Sequence, residues 1–177
     1  MKNTLSLVLS AAGRKNLPCL LIGGNAVILL GFARNTIDID LLVPEGRHSV
    51  WLDLMRELGF RLYRGTGAFA QFEPGGAGMV SVDLMFVDDH TWESLIGKSV
   101  EREIGGQAVR LPAPEHMVAL KLHAASGRDR SKPEVDWEDI RQIIRSCHID
   151  TAEPRFREMV LSYGGEEALR RIESLPS

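Results

Sequence analysis

The sequence has little of what marks several large classes of protein. Its 177 residues include two cysteines, Cys19 and Cys147, and five histidines, none of them at metal-ligand spacing. We therefore expect reduced thiols that pack as small hydrophobic side chains, and histidines at the surface or in packing contacts. No Ser-His-Asp or Cys-His arrangement suggests a hydrolase or protease.

Long apolar runs and a basic charge excess are also missing. The most apolar stretch, residues 19–33, is shorter than the roughly 20 residues of a membrane span and contains Gly23-Gly24. The apolar run at residues 5–12 is at the lower limit for a signal peptide. A net charge of −3 with 6% aromatic residues gives no extended nucleic-acid surface, so any basic site must be local. We expect a cytoplasmic protein without membrane contact.

Turn signals and hydrophobic periodicity predict an α+β protein in two parts. Residues 1–111 alternate short strand-like runs with helical segments, which predicts a mixed β-sheet flanked by helices. A glycine-rich turn at residues 73–78 separates two runs that we expect to form a hairpin. The pattern of residues 112–177 predicts only helices. These helices form either a subdomain packed on the first part or the continuation of a single domain.

Two aspartates make one stretch more informative than the rest. We predict a strand over residues 36–43, and side chains two positions apart on a strand share a face. Asp38 and Asp40 would then point to one side, while Ile37 and Ile39 point into the core. Because adjacent carboxylates repel each other and are costly to bury, a divalent cation is their simplest compensation.

Asp83 supplies a third carboxylate on another predicted strand, residues 79–87. Two-metal sites need oxygen ligands from more than one strand, and a carboxylate set without His or Cys favours Mg²⁺ over zinc. The predicted metal ligands are therefore Asp38, Asp40 and Asp83. The plainer alternative is that these acidic residues are solvated at strand ends.

Glycines and basic residues could hold a phosphate. Gly23-Gly24 would let backbone N–H groups approach an anion, although a plain tight turn gives the same pattern. Lys121 lies on a predicted helix that the basic stretch 128–132 follows, and these residues either meet an anionic ligand or end an exposed helix.

Two aspartates on the next predicted helix also have two interpretations. Asp136 and Asp139 are either capping and surface charges or partners that hold Lys121.

These motifs together resemble the nucleotidyltransferase superfamily of polymerase-beta-like fold. The resemblance covers residues 20–145 and begins with Gly23-Gly24 followed by the Asp38-x-Asp40 strand and Asp83. The flanking residues, 23–27 and 34–40, are similar to the AbiEii-type nucleotidyltransferases, which include toxins of toxin–antitoxin and phage-defence systems. The downstream pattern of that group, a helical Lys, a basic stretch and an Asp, is similar to Lys121, Arg128-Asp-Arg130 and Asp136 or Asp139.

The resemblance implies a nucleotidyltransferase-like mixed sheet and a helical second half that closes a nucleotide cleft. It implies an NTP substrate, two Mg²⁺ ions, and transfer of a nucleoside monophosphate to a hydroxyl of RNA, protein or a small molecule. An antitoxin protein is the implied partner of a toxin. The implied catalytic residues are Asp38, Asp40 and Asp83, and the implied nucleotide contacts are Gly23, Gly24, Asn25, Arg34, Thr36 and Lys121.

Two other functions fit the same residues. A nucleotide sensor or regulatory subunit of this fold would bind NTP without turnover. A two-metal phosphohydrolase would use water in place of the acceptor hydroxyl, although such hydrolases commonly carry ligand histidines.

Overall fold

The computed structural model describes residues 2–125 and 133–175. The first half contains both helices and strands, whereas only helices follow Pro112 among the residues described. The strands are β1 (Leu20–Ile22), β2 (Ile39–Pro44), β3 (Arg61–Gly65), β4 (Phe69–Glu73), β5 (Val82–Val87), β6 (Val100–Ile104) and β7 (Gln107–Leu111). The helices are α1 (Lys2–Arg14), α2 (Gly23–Leu29), α3 (His48–Glu57), α4 (Asp89–Gly97), α5 (Pro114–Ala125), α6 (Pro133–Ser146) and α7 (Pro154–Glu173).

Five strands form one mixed sheet in the order β1-β2-β5-β4-β3. The central pair, β2 and β5, is parallel, and each of the other neighbouring pairs is antiparallel. Strands β4 and β5 flank the glycine-rich turn, so the predicted hairpin is confirmed. Strands β6 and β7 form a separate two-stranded sheet. The predicted α+β class, a mixed sheet with helices and a helical second half, is confirmed.

The core follows the alternation of the sequence. On β5, Val82, Leu84 and Phe86 are buried while the residues between them are half-buried. On β2, Ile39 and Leu41 are fully buried, as the alternation predicts, and Leu42 and Val43 are fully buried as well. Burying such side chains contributes about 1.5–3 kcal/mol each, so the sheet that carries the aspartates is firmly anchored.

The start of the Asp-bearing strand was predicted wrongly. Strand β2 begins at Ile39 rather than at residue 36, and Asp38 lies immediately before it. Ile37, expected in the core, is 83% exposed. Residues 32–37 have no regular structure, so the two-residue period of a strand does not reach Ile37.

The Gly-Gly pair forms the start of a helix. Helix α2 begins at Gly23 itself and ends at Leu29. Gly23 has φ +64°, a conformation that glycine adopts without a steric penalty.

The chain divides into two compact units. The first comprises Met1–Leu29 and Arg34–Pro112, and the second comprises Leu30–Ala33 and Ala113–Ser177. Leu30–Ala33 thus group with the later helices and not with the sheet. The domain boundary between residues 111 and 112, expected from the sequence, stays a proposal. None of the helices within the described residues has both the length and the apolar character needed to cross a bilayer.

Helix α7 is interrupted at a glycine. Gly165 has φ +71° and ψ −174°, which are not helical values. Within the second, helical unit, α5 packs against both α6 and α7.

Candidate active site

A polar row crosses the middle of the five-stranded sheet. Asp40 on β2 is the register partner of Asp83 on the parallel neighbour β5. Asp83 is also paired in register with Gln71 on β4, the other neighbour of β5. Asp40 is paired in register with Ile22 on β1, the other neighbour of β2. Register partners point to the same face of a sheet, so the two carboxylates and the amide lie side by side on one face.

Gln71 holds one end of this row. Its Nε2 donates a hydrogen bond of 2.7 Å to Oδ2 of Asp83, and both side chains are half-buried. Sequence reasoning missed Gln71 as a site residue. The signal was present: Gln71 is polar between buried Ala70 and Phe72, but its importance depends on the register of β4 against β5.

Asp38 is positioned by hydrogen bonds, since it lies outside the strand. The Thr36 hydroxyl donates to Oδ1 of Asp38 at 2.7 Å. Nδ2 of Asn25, a side chain that is only 1% exposed, donates to the backbone carbonyl of Asp38 at 2.7 Å. Thr36 and Asn25 were predicted as nucleotide contacts, and the structure shows them holding the Asp38 segment; their contact with a nucleotide stays a prediction.

The paired glycines make room for the site. A Cβ atom on Gly23 would lie 1.9 Å from Oδ2 of Asp40, far inside van der Waals contact. A Cβ atom on Gly24 would lie 2.7 Å from the Thr36 hydroxyl oxygen and 3.2 Å from the guanidinium carbon of Arg34. Both positions therefore require glycine, because neighbouring side chains occupy the space of a Cβ atom. A plain tight turn would not have this requirement.

The pKa of the Asp83 carboxyl reflects its burial and its charged neighbour. Burial raises the pKa of its carboxyl, the hydrogen bond from Gln71 partly offsets this, and the negative charge of Asp38 raises the pKa further. Among the described residues, no lysine or arginine forms an ion pair with Asp38 or Asp83. Two nearby carboxylates are thus held by neutral donors, which orient them without cancelling their charge.

The donor set fits a hard cation, although the ligands are not gathered around one point. Carboxylate oxygens from neighbouring strands are what Mg²⁺ binds in proteins. Over residues 2–125 and 133–175, however, no group of three His, Cys, Asp or Glu side chains is arranged to hold a metal ion. Asp38 and Asp83 instead bond to Thr36 and Gln71. The three-carboxylate metal set therefore stays a prediction that rests on donor chemistry and register.

Lys121 lies in the helical unit, on α5, in a buried ion cluster. Its Nζ is 3.0 Å from Oδ1 of Asp136 and 2.6 Å from Oδ2 of Asp139. Both aspartates are 1% exposed, so the interpretation of these two residues as surface charges is wrong and the alternative, partners of Lys121, is confirmed. A phosphate contact by Lys121 stays a prediction, and the basic stretch 128–132 lies outside the described residues.

Comparison with known families decides what class of protein carries this site. The model of a family described as nucleotidyl transferase of unknown function, DUF2204, matches residues 1–177. The chain belongs to this family. The predicted nucleotidyltransferase superfamily and the predicted enzyme class are therefore confirmed. The AbiEii-type subgroup is not what this match names, and it stays a prediction. No curated protein matches the sequence of this nucleotidyltransferase.

Solved structures share the fold of this DUF2204 nucleotidyltransferase at low sequence identity. The antibiotic-resistance factor ANT(2'')-Ia matches with a TM-score of 0.68 and 19% identity over 97% of this chain and 95% of that chain. An antigenic nucleotidyltransferase-like protein from Paracoccidioides brasiliensis matches with a TM-score of 0.60 and 18% identity, over 96% and 91% of the two chains. The lincosamide antibiotic adenylyltransferase LnuA matches with a TM-score of 0.61 and 14% identity, over 81% and 96%.

Proposed function

We propose that this nucleotidyltransferase is Mg²⁺-dependent and transfers a nucleoside monophosphate from an NTP to a hydroxyl group of a small molecule. The observation that carries the proposal is the pairing of Asp40 with Asp83 across adjacent parallel strands, with Asp38 beside them. The close approach of Gly23 to the Asp40 carboxylate supports it, because that backbone is kept bare where a triphosphate would need access.

The proposed reaction is a displacement at the α-phosphorus. The acceptor oxygen forms a bond to this phosphorus, the bond from phosphorus to the α–β bridging oxygen breaks, and pyrophosphate leaves with the electron pair. Asp83 is the proposed base that accepts the proton of the acceptor hydroxyl. Bound Mg²⁺ would supply charge neutralisation of the phosphates and would lower the pKa of the acceptor hydroxyl. Asp38, Asp40 and Asp83 are the residues that would hold it.

Residues around the glycines would bind the triphosphate. The backbone N–H groups of Gly23 and Gly24 are the proposed phosphate donors, and the guanidinium of Arg34, which lies beside Gly24, is the proposed cation of the nucleotide site. Asn25 and Thr36 contribute by fixing Asp38. Lys121 contributes charge balance within the helical unit, and any phosphate contact from it is a separate prediction.

Two structures of similar fold support the proposed acceptor class. ANT(2'')-Ia has been solved with adenylyl-2''-tobramycin, and LnuA with lincomycin, both small hydroxyl-bearing molecules. This chain covers 95–96% of the length of each. We therefore propose a small polyhydroxylated acceptor in preference to RNA or protein. An AbiEii-type toxin role with an antitoxin partner is the finer alternative, supported by the sequence resemblance alone.

Label transfer tests the proposal. Wild-type protein, Asp40→Ala and the surface control Asp53→Ala are incubated with each α-³²P-labelled NTP, Mg²⁺ and pools of aminoglycosides, lincosamides, sugars and tRNA. We expect Mg²⁺-dependent label on a small molecule, with pyrophosphate released, for wild type and Asp53→Ala. Equal transfer by Asp40→Ala would contradict the proposal. Orthophosphate release would favour a phosphohydrolase, and NTP binding without turnover would favour the sensor.

A further inference from the structure

Gln71 lies in the middle of β4, on the sheet face that carries the carboxylate row. Its neighbours along the strand, Ala70 and Phe72, are each 1% exposed and belong to the opposite, core face. A half-buried amide at this position has no need to be polar for folding, because an apolar side chain would extend the sheet equally well. The Gln71 amide donates a hydrogen bond to Asp83.

We propose that Gln71 is a positioning residue that sets the orientation of the Asp83 carboxylate for a divalent cation shared with Asp40. This inference rests on the proposed Mg²⁺-dependent function. The hydrogen bond from Gln71 Nε2 fixes Oδ2 of Asp83 at 2.7 Å, and the register fixes Asp40 on the other side of Asp83. One carboxylate oxygen is thereby held on the β4 side of the row.

The chemistry of the donor suits this role. An amide donates a hydrogen bond without a formal charge, so it restricts the rotation of Asp83 while leaving the carboxylate negative. A lysine at the same position would form an ion pair and compete with a metal ion, as the Lys121 ammonium pairs with Asp136 and Asp139 in the helical unit.

The size of the expected effect follows from the behaviour of residues that orient metal ligands. Removing such a hydrogen-bond partner commonly weakens metal binding by about 10- to 100-fold, because the ligand must then be ordered when the metal binds. Purely structural contacts lower the unfolding temperature instead and leave the affinity for metal unchanged.

Mn²⁺ binding to the whole chain, measured by electron paramagnetic resonance, distinguishes these roles. Mn²⁺ is titrated alone and with a non-hydrolysable ATP analogue, and the unfolding temperature of each variant is recorded. Gln71→Met keeps the volume of the side chain and removes its donor. The matched control is Gln142→Met, which removes a Gln–carboxylate hydrogen bond of 2.8 Å to Glu138 in the helical unit.

We expect Gln71→Met to raise the Kd for Mn²⁺ by about tenfold or more, and Gln142→Met to leave it unchanged. In an Asp83→Ala background, Gln71→Met should cause no further change, since its effect acts through Asp83. Gln71→Leu gives a second donor-free variant if Gln71→Met fails to fold.

The outcomes separate this inference from the proposed function. Tight Mn²⁺ binding by wild type with an unchanged Kd in the Gln71 variants would overturn the role of Gln71 alone. A lower unfolding temperature without a change in Kd would assign Gln71 to structure and overturn it likewise. Absence of Mn²⁺ binding by wild type, with and without the nucleotide analogue, would overturn the metal-dependent function together with this inference.

Discussion

The two units of the chain treat aspartates in opposite ways. In the sheet unit, the side chains of Asp38 and Asp83 accept hydrogen bonds from a hydroxyl and an amide, both neutral donors. In the helical unit, Asp136 and Asp139 share the ammonium of Lys121. Neutral donors leave a carboxylate its charge, whereas an ammonium cancels much of it. The partners of an aspartate, together with its burial, therefore separate a candidate catalytic carboxylate from a structural one.

The largest expected effect is the loss of stability when Lys121, the cation of the helical unit, is replaced. Lys121→Met leaves Asp136 and Asp139 buried without their ammonium, and breaking such a pair costs about 3–5 kcal/mol. Urea unfolding measures this loss. The control Lys15→Met removes an exposed ion pair with Glu57 and should cost less than about 1 kcal/mol. Equal losses for both variants would show that the Lys121 cluster is not a structural ion pair.

The second effect concerns the glycine against Asp40. Gly23→Ala adds a Cβ atom that collides with the Asp40 carboxylate, at a position with a left-handed backbone conformation. We therefore expect label transfer to fall by at least about tenfold. Gly59→Ala is the matched control, since Gly59 also has a positive φ but nothing within 4 Å of its added Cβ. Each substitution should lower stability by about 1–2 kcal/mol through backbone strain.

Only Gly23→Ala should affect the reaction. If Gly59→Ala reduced label transfer as much as Gly23→Ala, the loss would come from stability, and the close approach of Gly23 to Asp40 would have no part in activity.

The smallest effect is a pH dependence of stability in metal-free buffer. Because burial raises the pKa of Asp83 in the folded chain, the folded state retains a proton that the unfolded chain has released at intermediate pH. The contribution of Asp83 to stability is then present below its unfolded pKa and is lost as pH rises through its folded pKa. Asp83→Asn should match wild type near pH 3 and exceed it in stability near pH 7.

Urea unfolding with EDTA at several pH values measures this difference. A stability gain for Asp83→Asn that is constant with pH would contradict the expected proton linkage.

The comparison also shows how far sequence patterns reach. Alternation on β5 and the turn at residues 73–78 predicted the sheet and the hairpin correctly, because both depend on local periodicity. The same alternation failed at Ile37, where the chain is irregular. Residue types singled out Asp40 and Asp83, but only the register shows that they are neighbours.

What the sequence left open depends on contacts between distant segments. The hydrogen bond from Gln71 to Asp83 requires the pairing of β4 with β5, and the bond from Asn25 to the Asp38 carbonyl requires α2 to pack beside residues 36–38. Two interpretations of Asp136 and Asp139 fit the sequence, and burial together with the Lys121 contacts decided between them.

Calorimetric titration of nucleotide in the presence and absence of Mg²⁺ tests the central claim most directly. The claim is that the carboxylates of the sheet unit, and not those of the helical unit, bind a cation with a nucleotide. Non-hydrolysable analogues of the four NTPs are titrated into wild type, Asp83→Ala and the helical control Glu138→Ala. We expect Mg²⁺-dependent binding to wild type and Glu138→Ala and its loss in Asp83→Ala. Equal, Mg²⁺-independent binding to all three proteins would contradict the claim.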